Sequence, residues 1–397
     1  MKNEMEKKNA ASSDRRCGIE KINYVGHLLR REPILTISGI LAAVSCLAVP
    51  PGAEYLNYIN WRTIVLLFCM MGIVAGAADA GIFRLICRKI TAGISDQRRL
   101  SLALVLLCFF FSMFITNDVT LVTVVPVTLL LMEQADEKNL ILTLVQETIA
   151  ANLGSMFTPF GNPQNLYLSS FYQVETGRFL ALMLPYTLLS LGLLMLQTAR
   201  IGKLPLSGKR EDLPENEKTL RREMIFYGCL FAIAVLSVVR LLNEWVLLLV
   251  VLTAIGLHDR PAFRKVNYSL LVTFVFFFVL IGNLGQIPAI RNAILTMLRG
   301  HELGISVLAS QVVSNVPAAI LLSGFTDKAE ALIVGTNIGG LGTLIASMAS
   351  IITFQLYVRR RGAQTGRYFR TFTVWNCVDL AALLLLAWIL SSIYGRL

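Results

Sequence analysis

One polar, glycine-rich motif occurs twice in this chain, and each copy interrupts an apolar segment. The first copy spans residues 152–165 and the second spans residues 337–350. The aligned residue pairs of the two copies are Asn152 with Asn337, Gly154 with Gly339, Thr158 with Thr343, and Asn162 with Ser347. Because polar interruptions are costly within a membrane-spanning helix, a duplicated interruption indicates two broken helices that face one shared binding site.

A second duplicated element precedes each copy of the motif. Its polar centres are Thr116-Asn117-Asp118 in the first half and Ser314-Asn315-Val316 in the second half. They lie in the middle of the apolar segments 100–133 and 303–325, and the shorter arms fall below the ~20 residues that a membrane crossing needs. We therefore predict two re-entrant hairpins with polar tips.

The composition is that of a membrane protein. Hydrophobic residues make up 55% of the 397 residues and charged residues only 15%, whereas a soluble domain has about 25% charged residues. The predicted spans are 34–50, 61–80, 140–170, 179–198, 223–241, 245–257, 267–283, 329–357 and 371–394. The predicted fold class is an all-α polytopic membrane protein with about nine full spans and two hairpins. Residues 82–94 and 287–298 mix apolar and basic residues, which favours helices in the membrane interface.

The net charge of +11 comes from lysines and arginines that lie mostly in the loops. Such loops mark the cytoplasmic face of a membrane protein, so nucleic acid is not an expected partner. The distribution predicts a multi-pass protein of the cell membrane with a cytoplasmic N-terminus and an external C-terminus. It also gives the two repeats opposite orientations in the lipid bilayer.

The repeats define four regions of the chain. We predict a cytoplasmic leader at 1–33, a first inverted repeat at 34–198 and a second inverted repeat at 245–397. Residues 199–244 form a cytoplasmic linker and an extra helix, which allows the second repeat to be inverted.

The polar residues at the tips and breaks are the candidate binding residues. Broken helices expose unpaired N–H and C=O groups, and amide and hydroxyl oxygens suit a hard cation such as Na⁺. The predicted substrate-binding residues are Thr116, Asn117, Asn162, Asn165, Ser314, Asn315, Thr343 and Ser347. The residues predicted to couple a cation or proton are Asp118, Asn117, Asn152, Thr158, Asn315, Asn337 and Glu147. Tight helix packing also uses small and polar residues, but packing does not require asparagine and glycine at two equivalent places.

A carboxylate within a predicted membrane segment indicates a functional role, because a buried charge is costly there. Asp118 lies at the first hairpin tip, where it could instead cap a helix, and Glu147 lies in an apolar stretch before the first break. Asp79 and Asp379 fit interhelical hydrogen bonds better. The chain contains no Walker phosphate loop and no His-Glu-x-x-His motif, so we predict neither an enzyme nor a bound cofactor, apart from Na⁺ or H⁺ as a coupling ion.

These motifs resemble those of the ion transporter superfamily. This group contains citrate-transporter-like proteins, arsenite permeases, divalent anion:sodium symporters and a branch of Na⁺/H⁺ antiporters. The resemblance rests on Thr116-Asn117-Asp118, Gly161-Asn-Pro-Gln-Asn165, Ser314-Asn315 and Asn337-Ile-Gly-Gly. It implies inverted repeats, a homodimer, and a transport part that crosses the membrane like an elevator.

Three functions follow as hypotheses. The first is a secondary active transporter of a small organic or inorganic anion, coupled to H⁺ or Na⁺. The second is an arsenite or antimonite efflux permease, or a Na⁺/H⁺ antiporter, because Asp118 and Val316 replace the threonines that the dicarboxylate branch has at its tips. The third is a channel or receptor built on the same scaffold.

Overall fold

The protein is almost entirely helical in the computed structural model, which describes residues 32–205 and 217–394. Most of the predicted leader at 1–33, the centre of the predicted linker and the last three residues therefore lie outside the described residues. The helices are α1 (Pro33–Ala48), α2 (Tyr55–Tyr58), α3 (Trp61–Asp79), α4 (Ile82–Thr91), α5 (Gln97–Ser112), α6 (Asn117–Leu131), α7 (Glu137–Ser155), α8 (Pro163–Phe171), α9 (Thr176–Thr198), α10 (Glu217–Val238), α11 (Glu244–His258), a 3-10 helix (Arg260–Lys265), α12 (Tyr268–Gln286), α13 (Pro288–Leu298), α14 (Glu302–Val313), α15 (Asn315–Ser323), α16 (Ala329–Ile338), α17 (Met348–Val358) and α18 (Thr365–Tyr394). The predicted all-α fold class is confirmed.

Among the described residues, four helices are long and apolar enough to cross a membrane by themselves. They are α3, α9, α12 and α18. The shorter apolar helices include arms of the predicted hairpins and halves of the predicted broken helices, such as α6, α14, α16 and α17. Hairpin arms and broken halves are expected to be short, because each covers only part of the membrane thickness.

The chain divides into two compact units, and the smaller one contains α1, α2 and α12. Asn283 on α12 ties this unit together, because its Nδ2 donates to Ser45 Oγ on α1 and to the Tyr55 hydroxyl on α2, both at 2.9 Å. Gly282 leaves room for the Tyr58 ring, since any side chain at residue 282 would overlap that ring. The smaller unit is thus joined by a buried asparagine and one close helix approach.

The larger unit contains the hairpins and the broken helices. Helices α5 and α6 form the first hairpin around the tip at 113–116, and α14 and α15 form the second around Ser314, whose φ is +76°. Each hairpin packs against the first half of its own broken helix, α5 against α7 and α14 against α16. The polar tips therefore lie beside the polar breaks.

Each broken helix is interrupted where its sequence opposes helix formation. In the first repeat, α7 ends at Ser155, and Pro159 and Pro163 follow without the backbone N–H that would continue the helix. In the second repeat, α16 ends before Gly339, and Gly342 has a φ of +102°, which favours glycine. The same architecture is thus produced by prolines in one repeat and by glycines in the other.

Two tyrosines tie the far ends of the broken helices to the opposite repeat. The Tyr172 hydroxyl, just after α8, donates to the backbone carbonyls of Ser323 and Thr326 at 3.1 and 2.6 Å. Tyr357, which aligns with Tyr172, donates its hydroxyl to Glu137 Oε1 at 2.6 Å. Each repeat therefore holds a part of the other through equivalent residues.

Candidate functional site

The first break is organised by two asparagines. Asn162 caps α8 through its Oδ1, which accepts the Asn165 N–H at 2.9 Å. The Asn165 Nδ2 donates to the carbonyl oxygens of Ser155, Met156 and Thr158 at 3.2 to 3.4 Å. The carbonyls of Ser155 and Met156 lie at the end of α7, where the helix offers them no N–H partner. Asn165 was predicted to bind substrate, and the structure shows it holding the break itself.

The second break is held by Gln311 on α14, a residue that the sequence analysis missed. Its Nε2 donates to the carbonyls of Gly339 and Leu341 at 2.9 and 3.0 Å, and its Oε1 accepts the Thr343 N–H at 3.0 Å. An amide side chain three residues before the polar tip, in a largely apolar hairpin arm, is the signal that could have identified it.

Equivalent threonines join each break to its own hairpin. The Thr158 hydroxyl donates to the Met113 carbonyl at 2.5 Å, and the Thr343 hydroxyl donates to the Gln311 carbonyl at 3.2 Å. The sequence alignment also pairs Met113 with Gln311. The two predicted polar threonines thus make the same connection to the backbone in both repeats.

The second tip reaches its break through the backbone. The Asn315 N–H and the Ser314 hydroxyl both donate to the Ala346 carbonyl, at 3.0 and 3.3 Å. The Asn315 Oδ1 accepts the Val316 N–H at 3.0 Å, as the Asn117 Oδ1 accepts the Asp118 N–H at 3.0 Å. The tip asparagines therefore share one local conformation.

Three buried hydrogen bonds between residues of the breaks connect the repeats across the site. Asn337 Nδ2 donates to Asn165 Oδ1 at 2.6 Å. The other two are equivalent to each other, because Asn162 Nδ2 donates to Asn337 Oδ1 at 3.1 Å and Ser347 Oγ donates to Asn152 Oδ1 at 2.9 Å. The alignment pairs Asn152 with Asn337 and Asn162 with Ser347, so these two hydrogen bonds are one contact repeated by the internal symmetry. The structure therefore brings both breaks together, as the sequence predicted.

Asn152 has a donor without a partner. Its Oδ1 accepts from both Asn117 Nδ2 and Ser347 Oγ, each at 2.9 Å, which fixes which atom of the amide is the oxygen. Its Nδ2 is buried and has no hydrogen-bond partner among the residues that the structure describes. An unsatisfied buried donor is unfavourable, so this group suits the oxygen of a bound acceptor.

Asp118 lies next to this asparagine cluster. It occupies the first turn of α6, after the N-cap residue Thr116, and is half-buried. Within the described part of the chain, no side chain forms a hydrogen bond or ion pair with its carboxylate. The positive end of the helix favours a negative side chain there, and a carboxylate without a cationic partner suits a cation or a proton.

Glu147 lies two turns before the break and is completely buried. Its Oε1 accepts from the Thr128 hydroxyl on α6 at 2.5 Å, and its Oε2 has no hydrogen-bond partner in the described part of the chain. In residues 32–205 and 217–394, no lysine or arginine forms an ion pair with it. A buried carboxyl group without a cationic partner must be neutralised, and a proton is the smallest group that can do so.

The other two intramembrane aspartates have structural partners. Asp379 on α18 accepts from Gln197 Nε2 on α9 at 2.5 Å, and Asp79 at the end of α3 pairs with Lys265. These contacts join neighbouring helices, as expected from the sequence.

Four helices begin at the site, namely α6, α8, α15 and α17. Their N-terminal ends carry partial positive charge, which favours an anion. The hydrogen bonds that connect the central polar side chains join neutral groups only. The site can therefore bind a small anion through amides, hydroxyls and helix ends, with a carboxylate beside it.

The cross-repeat contact can be measured with a double-mutant cycle. Asn162→Ala and Asn337→Ala should each lower the free energy of unfolding by about 1–3 kcal/mol, because each leaves a buried polar partner unsatisfied. The double variant should lose less than the sum of the two, as residues in contact do. Thermal unfolding in detergent measures both effects, with the exposed Asn292→Ala on α13 as the control. Strictly additive losses would contradict the contact.

Known proteins are similar to this chain in sequence and in fold. Residues 24–331 match the family profile described as "Citrate transporter". The chain is 36% identical over 309 residues to an uncharacterized transporter of Methanocaldococcus jannaschii, covering 76% of this chain and 83% of that protein. It is 30% identical over 308 residues to the inner membrane protein YbiR of Escherichia coli, covering 76% and 82%.

A solved structure has the same fold at low sequence identity. The crystal structure of the YdaH transporter of Alcanivorax borkumensis superimposes with a TM-score of 0.60 at 13% identity. The match covers 87% of this chain and 88% of that chain. The architecture of the two chains is therefore similar over most of their length.

Proposed function

The chain belongs to the citrate transporter family of membrane transporters, and we propose that it moves a small anion across the membrane by secondary active transport coupled to H⁺ or Na⁺. The observation that carries this proposal is the unpartnered Asn152 Nδ2, buried where the first tip and both breaks meet. A ligand with an acceptor oxygen would satisfy that donor.

The chemistry of the site supports an anion together with a cation. The helix ends favour negative charge, whereas Asp118 repels it. A cation or proton at Asp118 would remove this repulsion, so binding of the anion would depend on binding of the coupling ion. Such dependence is what a coupled transporter requires.

We propose an elevator motion of the site as a unit. The tips and breaks are tied to one another by the hydrogen bonds of Asn117, Asn152, Asn162, Asn337 and Ser347. Separating them would leave several buried polar groups without partners, so joint movement costs less than opening the site from within. We further propose that the protein works in the lipid bilayer as a homodimer.

Arsenite or antimonite efflux is the second candidate. The hydrogen-bonded groups at the centre are neutral, and Asp118 is the charged residue at the first tip. Arsenous acid is neutral at pH 7, so its binding needs no basic residue. Growth of an expressing strain in graded arsenite, compared with graded sodium, separates efflux of arsenite from Na⁺/H⁺ antiport.

The proposed function is tested by uptake into proteoliposomes. Citrate comes first in a panel of carboxylates and oxyanions, each measured under an imposed H⁺ or Na⁺ gradient. We expect gradient-dependent, saturable uptake with counterflow. Non-saturable flux without counterflow would indicate a channel and would contradict the proposal.

A further inference from the structure

An apolar groove with a basic end lies on the outer face of the first hairpin. It has a volume of about 440 Å³ and is lined by Arg99, Leu102, Ala103, Leu106 and Phe110 of α5 and by Ile90 of α4. Successive turns of α5 contribute one or two lining residues each, so these residues form one stripe along that helix. The groove is therefore continuous from the first turn of α5 towards the hairpin tip.

The length of the groove matches one leaflet of a bilayer. Phe110 is eleven positions after Arg99, which corresponds to about 16 Å along a helix that rises ~1.5 Å per residue. Half of the hydrocarbon thickness of a bilayer is about 15 Å. Phe110 is 47% exposed and Ile90 is 46% exposed, so the protein itself leaves these apolar side chains uncovered.

Two exposed basic side chains lie where the groove begins. Arg99 lines the groove, and Lys89 directly precedes the lining residue Ile90 on α4. Asp96 is the acidic residue in the connection between α4 and α5. The Arg99 guanidinium lies 3.3 Å from the Asp96 carboxylate, but its side chain is 80% exposed. An exposed pair of this kind is weak, and a guanidinium has further N–H donors for a second anion.

We propose that this groove is a binding site for an anionic phospholipid. The phosphate headgroup contacts Arg99 and Lys89, and one acyl chain lies along the stripe from Leu102 to Phe110. The apolar stripe alone would accept any lipid, whereas the basic end selects a negative headgroup. The bound lipid contacts α5, whose hairpin carries Asn117 at its tip, so it lies against the element that reaches the candidate functional site.

The experiment compares phosphatidylglycerol with phosphatidylcholine of the same acyl chains, added to the detergent-purified full chain and measured by native mass spectrometry. We expect phosphatidylglycerol to bind more tightly. The double variant Lys89→Gln/Arg99→Gln should lose roughly tenfold or more in affinity for phosphatidylglycerol, because each basic residue contributes to headgroup attraction, while its affinity for phosphatidylcholine stays the same. Ala103→Trp, which fills the groove, should weaken binding of both lipids.

The matched control is Arg359→Gln/Arg361→Gln, which removes the same charge from two exposed residues after α17. Equal loss of phosphatidylglycerol binding in the control, or unchanged binding in the Lys89/Arg99 variant, would overturn the proposal. If a second copy of the chain occupied the groove instead of a lipid, Ala103→Trp would convert a dimer to a monomer. The number of bound lipids per chain would then stay constant, and this result would also overturn the proposal.

Discussion

Gly154→Ala is expected to destabilise the protein by about 2–3 kcal/mol, in the upper part of the range for overpacked sites, and to abolish transport. Gly154 lies at the end of α7, where a Cβ atom would overlap the Phe109 carbonyl oxygen and Ser112 Oγ of α5. A backbone carbonyl in a helix cannot rotate away, so the hairpin and the broken helix would have to separate. The hydrogen bond between Asn117 and Asn152 would then be lost.

A control substitution at a second glycine separates the steric effect of Gly154→Ala from the effect of alanine on helix propensity. Gly192 lies inside α9, and a Cβ atom there would have no neighbour within 4 Å. Because alanine favours helices by about 1 kcal/mol over glycine, Gly192→Ala should leave the melting temperature unchanged or raised, with normal uptake. Similar behaviour of the two variants would show that the close approach of α5 to α7 has no role.

Glu147→Gln is expected to uncouple transport from the proton gradient while leaving substrate exchange intact. Glutamine has nearly the same shape, and its Oε1 can accept the same hydrogen bond from the Thr128 hydroxyl, but it cannot carry a proton. Under a gradient of one pH unit, loss of one coupled proton lowers the limiting accumulation by about tenfold. Accumulation and counterflow in proteoliposomes measure the two properties separately.

Two further variants show which carboxyl group is responsible. Thr128→Val removes the hydroxyl that contacts Glu147 and should change the pH dependence of uptake without removing coupling. Asp118→Asn should weaken the dependence of uptake on the coupling cation. It should lower the apparent affinity for the anion by a smaller factor. Unchanged accumulation in Glu147→Gln would show that this residue is a neutral packing group and would exclude it as the proton carrier.

The positions of the tips and breaks could be predicted because they oppose local physical rules. Asn117, Pro163 and Gly342 are unfavourable within an apolar membrane helix, so each marks an interruption in the sequence itself. The duplication then predicted that the breaks meet, and the Asn162–Asn337 and Asn152–Ser347 hydrogen bonds agree with it. Two short helices that we expect in the membrane interface were predicted with end errors of at most three residues, as 82–94 against Ile82–Thr91 and as 287–298 against Pro288–Leu298.

The partners of individual polar groups could not be predicted. Gln311 holds the second break, whereas Asn165 performs that task in the first, and their sequence positions are not equivalent. Nothing in the sequence around Thr128 indicates its contact with Glu147, which forms only when α6 packs against α7. Such contacts depend on how hairpins are rotated against broken helices, and that rotation is set by side-chain packing across the whole unit.

The cross-repeat contact also constrains how the protein is made. Asn162 and its acceptor Asn337 are 175 residues apart, and ribosomes add about 5 to 20 residues per second. Asn337 is therefore synthesised roughly 10 to 35 seconds after Asn162. During this interval the Asn162 amide lacks its acceptor, so the polar interior of the amino-terminal half must be stabilised in another way until the carboxy-terminal half is synthesised.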